Sequence, residues 1–155
     1  LDFRPTHRLT REEAARFMVE FAKNVLCRKK TRVYNSHFSD ITQADATLHS
    51  FIEESYEYEI FNGDRDFDQD GITTFRPKDI ITDDELAAIM VRLVTHNMFR
   101  DQVFGENRAT LYRTKLAEYV NTSLNSKGRG NVAEVIYDLY KNNPYEWKDV
   151  GYVIK

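Results

Sequence analysis

Phe75-Arg76-Pro77-Lys78-Asp79-Ile80-Ile81-Thr82-Asp83-Asp84-Glu85-Leu86-Ala87 decides how this chain is read, because its pattern occurs twice. The counterpart is Phe3-Arg4-Pro5-Thr6-His7-Arg8-Leu9-Thr10-Arg11-Glu12-Glu13-Ala14-Ala15. In both stretches Phe-Arg-Pro leads, a Thr stands seven positions after the Phe, and a Glu follows three residues later. Thr-x-x-Glu is a capping box: the hydroxyl accepts from the backbone N–H three residues on, and the carboxylate reaches back to the N–H of the Thr. The residue before a proline is sterically biased to an extended backbone. Each copy therefore reads as an extended Phe entry that plugs the core and then turns into a capped helix.

The helices themselves follow from periodicity. After Thr10, Ala14, Phe17, Met18, Phe21, Ala22 and Val25 recur at three and four residues, an amphipathic helix ending near Cys27. After Thr82, Leu86, Ile89, Met90, Leu93 and Val94 form the same stripe. Leu48, Phe51, Ile52 and Ser55 predict another helix stopping at Asn62-Gly63, where glycine takes the left-handed conformation. Tyr112, Leu116, Tyr119 and Val120 mark a further one, and Val132, Val135, Ile136 and Leu139 the last, which must end before Pro144. Beyond it, Tyr145 to Lys155 alternates enough to be extended, an aromatic tail suited to a neighbouring copy or to this chain's own core.

These motifs resemble those of the S-layer homology family, whose units run Phe-x-Asp, helix, Gly turn, Phe-x-Pro and an Ile-Thr-Arg-Ala-Glu helix start. Phe38-Ser39-Asp40, Asn62-Gly63, Phe75-Arg76-Pro77 and Ile81-Thr82-Asp83-Asp84-Glu85 match one complete unit, over residues 38–100. Residues 1–37 look like the second half of a preceding unit, residues 101–143 like a degenerate third, and 144–155 form the tail. The resemblance implies a mainly α fold, a helical bundle of related lobes, and attachment to an anionic polysaccharide of a bacterial cell wall through grooves in which the motif Arg contacts the sugar's acidic groups. Arg11 is the residue that matches, and Arg129 its counterpart in the third unit; in the second unit Asp83 stands in that place and would repel an anion. On its own context Arg11 is a solvated first-turn charge beside Glu12 and Glu13. Asn131 with Glu134 offers an alternative cap that would shift the third register by three residues.

Between the halves of the complete unit lies Asp64-Arg65-Asp66-Phe67-Asp68-Gln69-Asp70-Gly71-Ile72. Alternating carboxylates ending in Gly begin a calcium loop: Asp66, Asp68 and Asp70 converge on a hard cation, Gly71 allows the sharp turn, and the Ile72 carbonyl supplies another oxygen. The twelve-residue pattern is incomplete, because Pro77 occupies the place of the bidentate Glu. Asp79 or water is left to complete the shell, and a merely solvated acidic turn is the alternative.

Charge is unevenly distributed. Nine Lys/Arg face four acids up to Arg32, whereas eight acids face only Arg65 between Glu53 and Asp70. Such opposed blocks suit either two solvated helix faces or head-to-tail attraction between copies. A net charge of −3 argues against a partner of nucleic acid, and the longest apolar run, Leu86 to Val91, falls far short of the roughly 18 residues of a transmembrane segment. The single cysteine, Cys27, closes no internal disulfide. P-loop, dinucleotide, nucleophile-elbow and zinc-protease signatures are lacking, and His7, His37, His49 and His96 are scattered. The expectation is an exported, non-enzymatic structural protein that self-assembles into a surface layer, sheath or filament with calcium in its loop. A wall-polysaccharide anchor is the alternative, and an envelope polysaccharide hydrolase a lesser one.

Overall fold

The computed structural model describes residues 8–64, 71–95, 110–118, 120, 129–142, 145–148 and 151–154. Thr10 caps α1 (Arg11–Asn24) with the full reciprocal box: its hydroxyl accepts from the Glu13 N–H, and its own N–H donates to Glu13 Oε1 at 3.0 Å. Ala14, Ala15, Met18, Val19 and Ala22 form the buried stripe, with Phe17 and Phe21 at its edge. Two short 3-10 turns, Ile41–Gln43 and Ala46–Leu48, lead into α2 (His49–Glu57). Thr82 and Glu85 repeat the box at the start of α3 (Asp83–Thr95), with Thr82 N–H donating to Glu85 Oε1 at 2.9 Å. Then come α4 (Thr110–Ala117) and α5 (Arg129–Asn142).

The architecture is mainly helical, as expected, and α3 is its axis. Every residue of α3 from Glu85 to Thr95 is buried, including Arg92. The stripe predicted for it understates the burial, because α1, α4 and α5 pack around it. A helix enclosed on all sides needs apolar residues on all sides, and Ala87, Ala88 and Val91 provide them between the stripe positions.

The tail is extended, but it pairs with itself. Tyr145–Lys148 (β1) and Gly151–Ile154 (β2) form an antiparallel hairpin in the register Tyr145 with Ile154 and Lys148 with Gly151, and β1 lies beside α3.

Two local expectations are corrected. The left-handed stop after α2 is taken by Glu59, at φ 58°, not by Gly63, so the helix ends at Glu57. Gly63 does have the positive φ expected of it, 95°, though it lies beyond the helix end, and a Cβ there would also lie 2.4 Å from Thr73 Cγ2 and 3.1 Å from Phe38 Cε1. Arg76, expected to be extended ahead of Pro77, has φ 61° instead. Side chains distant in sequence hold it there.

Candidate functional site

Phe75 is fully buried and does plug the core, its ring 4.8 Å from that of Phe61 and 5.1 Å from that of Phe38. The corresponding Phe3 entry lies outside the described residues. The strand-like pieces around Phe75 are aligned by a parallel bridge between Phe38 and Thr73, with Ser39 N–H donating to Thr73 O at 2.8 Å. That alignment carries the Asp40 carboxylate onto the next turn, where it accepts from the Phe75 N–H at 2.8 Å and the Arg76 N–H at 2.9 Å. A carboxylate bound to two successive N–H groups fixes the unusual backbone at Arg76. Non-glycine residues in that region are disfavoured by about 1–3 kcal/mol and persist only where the surroundings over-determine them.

The Arg76 guanidinium is held by carboxylates in turn. Its Nε and Nη2 donate to the two oxygens of Asp64, both at 2.8 Å, Nη1 donates to Asp79 at 3.2 Å, and Nη2 also meets Glu85. Arg11 approaches Glu85 from the other side, Nη1 to Oε2 at 2.9 Å, while its Nε donates to Phe75 O. The Arg11 guanidinium is flanked by the Phe61 and Phe75 rings, 5.0 and 5.1 Å from their centres. Asp64, Arg76, Glu85 and Arg11 thus form one chain of ion pairs under the Phe75 plug. Burial pushes the Glu85 carboxyl up, but the Arg11 charge, the Thr82 N–H and Arg76 outweigh it and hold it below the usual carboxylate range. Asp64 is likewise held down against its burial, chiefly by hydrogen bonds from Arg76 and Thr74. The Arg76 guanidinium is held protonated, above all by Asp64.

The two helix entrances also meet through their backbones. Thr10 and Ile80 form an antiparallel bridge, and Ile81 N–H donates to Leu9 O at 2.9 Å. Arg11 N–H donates to Asp79 O at 2.9 Å, Glu12 N–H to Pro77 O at 3.0 Å, and Glu13 N–H to the Thr10 hydroxyl at 3.3 Å. Exposed N–H groups at a helix start are what an anion would need. At α1 the turn around Lys78 fills that place, and Lys78 Nζ clamps it by reaching Glu12 at 2.7 Å and Asp45.

The predicted site residues fall as follows. Arg11, expected at a polymer-binding surface, is 0% exposed and belongs to the ion-pair chain. It is the lever between two helix starts rather than a solvated first-turn charge. Arg129 is the first residue of α5, as Arg11 is of α1 and Asp83 of α3, so the three-residue shift offered by Asn131 is not taken; the Arg129 side chain lies outside the described ones. Asp66, Asp68 and Asp70 lie outside the described residues. Ile72 is within them, 58% exposed, and Gly71 before it has φ 95°, the turn the loop requires. The loop's ends are joined, Asp64 N–H to the Thr73 hydroxyl at 3.2 Å. Asp64 and Asp79 are both engaged by Arg76. Among the described residues no group of three or more His, Cys, Asp or Glu is placed to hold a metal ion.

Asp40, Asp64, Arg76, Lys78 and Glu85 were not marked as site residues by sequence reasoning. Asp40 and Arg76 do stand inside the Phe-x-Asp and Phe-x-Pro motifs, and Glu85 inside the capping box, which is the signal that marks them.

The opposed charge blocks meet within the molecule. Lys23 and Lys30 pair with Glu54, Lys30 also with Glu57 at 3.2 Å, and the Thr31 hydroxyl donates to Glu59 at 2.6 Å. Arg32 stacks on Tyr56, 3.6 Å from the ring centre, and donates to Phe61 O and Asn62 Oδ1. The basic segment after α1 is thereby tied to the acidic α2.

Comparison of the chain with protein-family models, with curated proteins and with solved structures returns no match. Among the described residues no helix is long and apolar enough to cross a membrane.

Proposed function

We propose that this chain is a non-enzymatic structural module of the S-layer homology type, exported to a bacterial cell surface, where it assembles with copies of itself into a layer, sheath or filament. The observation that carries the reading is the ion-pair chain Asp64–Arg76–Glu85–Arg11. It takes the ionisable side chains nearest the motifs and uses them to join two helix entrances, which is architecture rather than chemistry. Helix starts at Arg11, Asp83 and Arg129 support the same reading, since they fall at equivalent motif positions. Calcium belongs to the proposal as the ion of Asp66, Asp68, Asp70 and the Ile72 carbonyl, and Gly71 at φ 95° supports it. Binding there stiffens the link between α2 and α3, and stabilises the folded state by mass action.

An anchor for anionic wall polysaccharide would rest on Arg129 alone, because Arg11 has no exposed surface. Of the acids that a hydrolase would draw on, Glu53, Glu54, Glu57 and Glu59, the last three are engaged by Lys23, Lys30 and Thr31. The test is negative-stain microscopy and sedimentation of the full chain with and without millimolar calcium, beside a calorimetric calcium titration. Ordered polymers, heat of binding, and loss of that heat in Asp68→Asn are expected. A chain that stays monomeric at high concentration sinks the assembly reading; absence of both heat and any rise in melting temperature sinks the calcium loop.

A further inference from the structure

The outer face of α5 is the one place where exposed aromatic surface and unpaired charge of both signs share a helix among the described residues. Val132, Val135, Ile136 and Leu139 turn inward and are buried. Glu134, Tyr137, Tyr140 and Lys141 turn outward and are exposed, Tyr137 at 59%. The patch continues onto α1: Tyr140 sets its ring against that of Phe21, 5.8 Å between centres at 84°, and Val25, one turn on, is 43% exposed.

Glu134, Tyr137 and Lys141 lie along one line of the helix at the three- and seven-residue spacing, about 10 Å from acid to base. Lys141 Nζ sits 5.6 Å from the centre of the Tyr137 ring, and neither Glu134 nor Lys141 has an ion-pair partner among the described residues. A line with an acid at one end, a base at the other and an aromatic ring between them is complementary to itself when reversed. A two-fold axis through its middle sets Glu134 of each copy against Lys141 of the other and brings the two Tyr137 rings together. Such isologous contacts are the commonest in soluble oligomers, and tyrosine is enriched at their centres.

We propose that the outer face of α5, with Tyr137 at its centre and Glu134 and Lys141 paired reciprocally across the axis, is the contact by which two copies of this chain form a two-fold dimer. The proposal deepens the assembly reading by naming one of its contacts. Because a two-fold contact closes on itself, a filament or layer needs a second, different face.

Sedimentation equilibrium of the full chain over a wide concentration range tests it, comparing wild type, Glu134→Lys, Lys141→Glu and the double exchange. Wild type is expected to dimerise. Each single reversal places like charges opposite each other twice and is expected to raise the dissociation constant about tenfold or more, and the double exchange to restore it. A wild type that is monomeric throughout, or single reversals that associate like wild type, overturns the proposal. Reversals that lower the melting temperature without changing association also overturn it, assigning the two charges to the dipole of α5 itself. Polymers that form alike in wild type and all three variants refute this face and leave self-assembly standing. A dimer that obeys the charge exchange in a chain that never polymerises supports the face and refutes the larger assembly.

Discussion

Arg11, the first residue of α1, and Glu85, in the first turn of α3, meet at 2.9 Å across 74 positions of sequence, both enclosed by protein. The carboxylate that meets the guanidinium also closes the α3 capping box through its other oxygen. One side chain thus caps its own helix and ties it to the start of another.

Removing that carboxylate should be severe. Glu85→Ala leaves Arg11 buried with one partner fewer and is expected to cost about 3–5 kcal/mol, as for other broken buried pairs. Replacing both ends by apolar groups, Arg11→Met with Glu85→Leu, should cost less than the Glu85→Ala change alone, because no charge is left stranded. Urea unfolding of the three chains gives the comparison.

Acid should weaken the same joint. Because the Glu85 carboxyl is held below its ordinary range in the folded chain, its contribution is fully present above the unfolded value of about 4.3 and is lost as pH falls through the lower folded value. Urea midpoints measured from pH 7 down to pH 3 should fall in the wild type and fall less steeply in Glu85→Gln.

The two positive-φ glycines should respond differently to alanine. At Gly71 nothing lies within 4 Å of the added methyl, so Gly71→Ala is expected to cost only the left-handed backbone term of about 1–2 kcal/mol. Gly63→Ala adds a clash with Thr73 and Phe38 and should cost about 1–3 kcal/mol beyond that. A thermal melt of each, compared with wild type, ranks them.

Cys27 is exposed and left-handed, at φ 53°, just beyond the end of α1. Glycine adopts that conformation without strain, so Cys27→Gly should stabilise the chain by about 0.5 kcal/mol, the net of relieved strain and added unfolded-state freedom. Chemical denaturation under reducing conditions measures it.

Local chemistry was legible in the sequence. Both capping boxes, the core role of Phe75 and the end of α5 before Pro144 depend on residues within a few positions of one another, and periodicity with cap chemistry found them. The conformation of Arg76 was not legible, because Asp40 and Asp64, 36 and 12 residues away, impose it against the local bias of the following proline. Arg11 looked like a solvated charge for the same reason: only its meeting with Glu85 and the two Phe rings encloses it. Glu59 took over the stop expected of Gly63 because Ile60 and Phe61 both donate back to Ser55, which turns the chain earlier.

The closure of the α1 start by the turn around Lys78 governs the order in which the protein can be built. Leaving the ribosome, α1 has neither Asp79 nor Pro77 to accept its first N–H groups, nor Glu85 to receive Arg11, until more than 60 further residues have followed. Closing so long a stretch delays the transition to the native state. The start of α1 therefore gains these partners only when the chain as far as the start of α3 has been made.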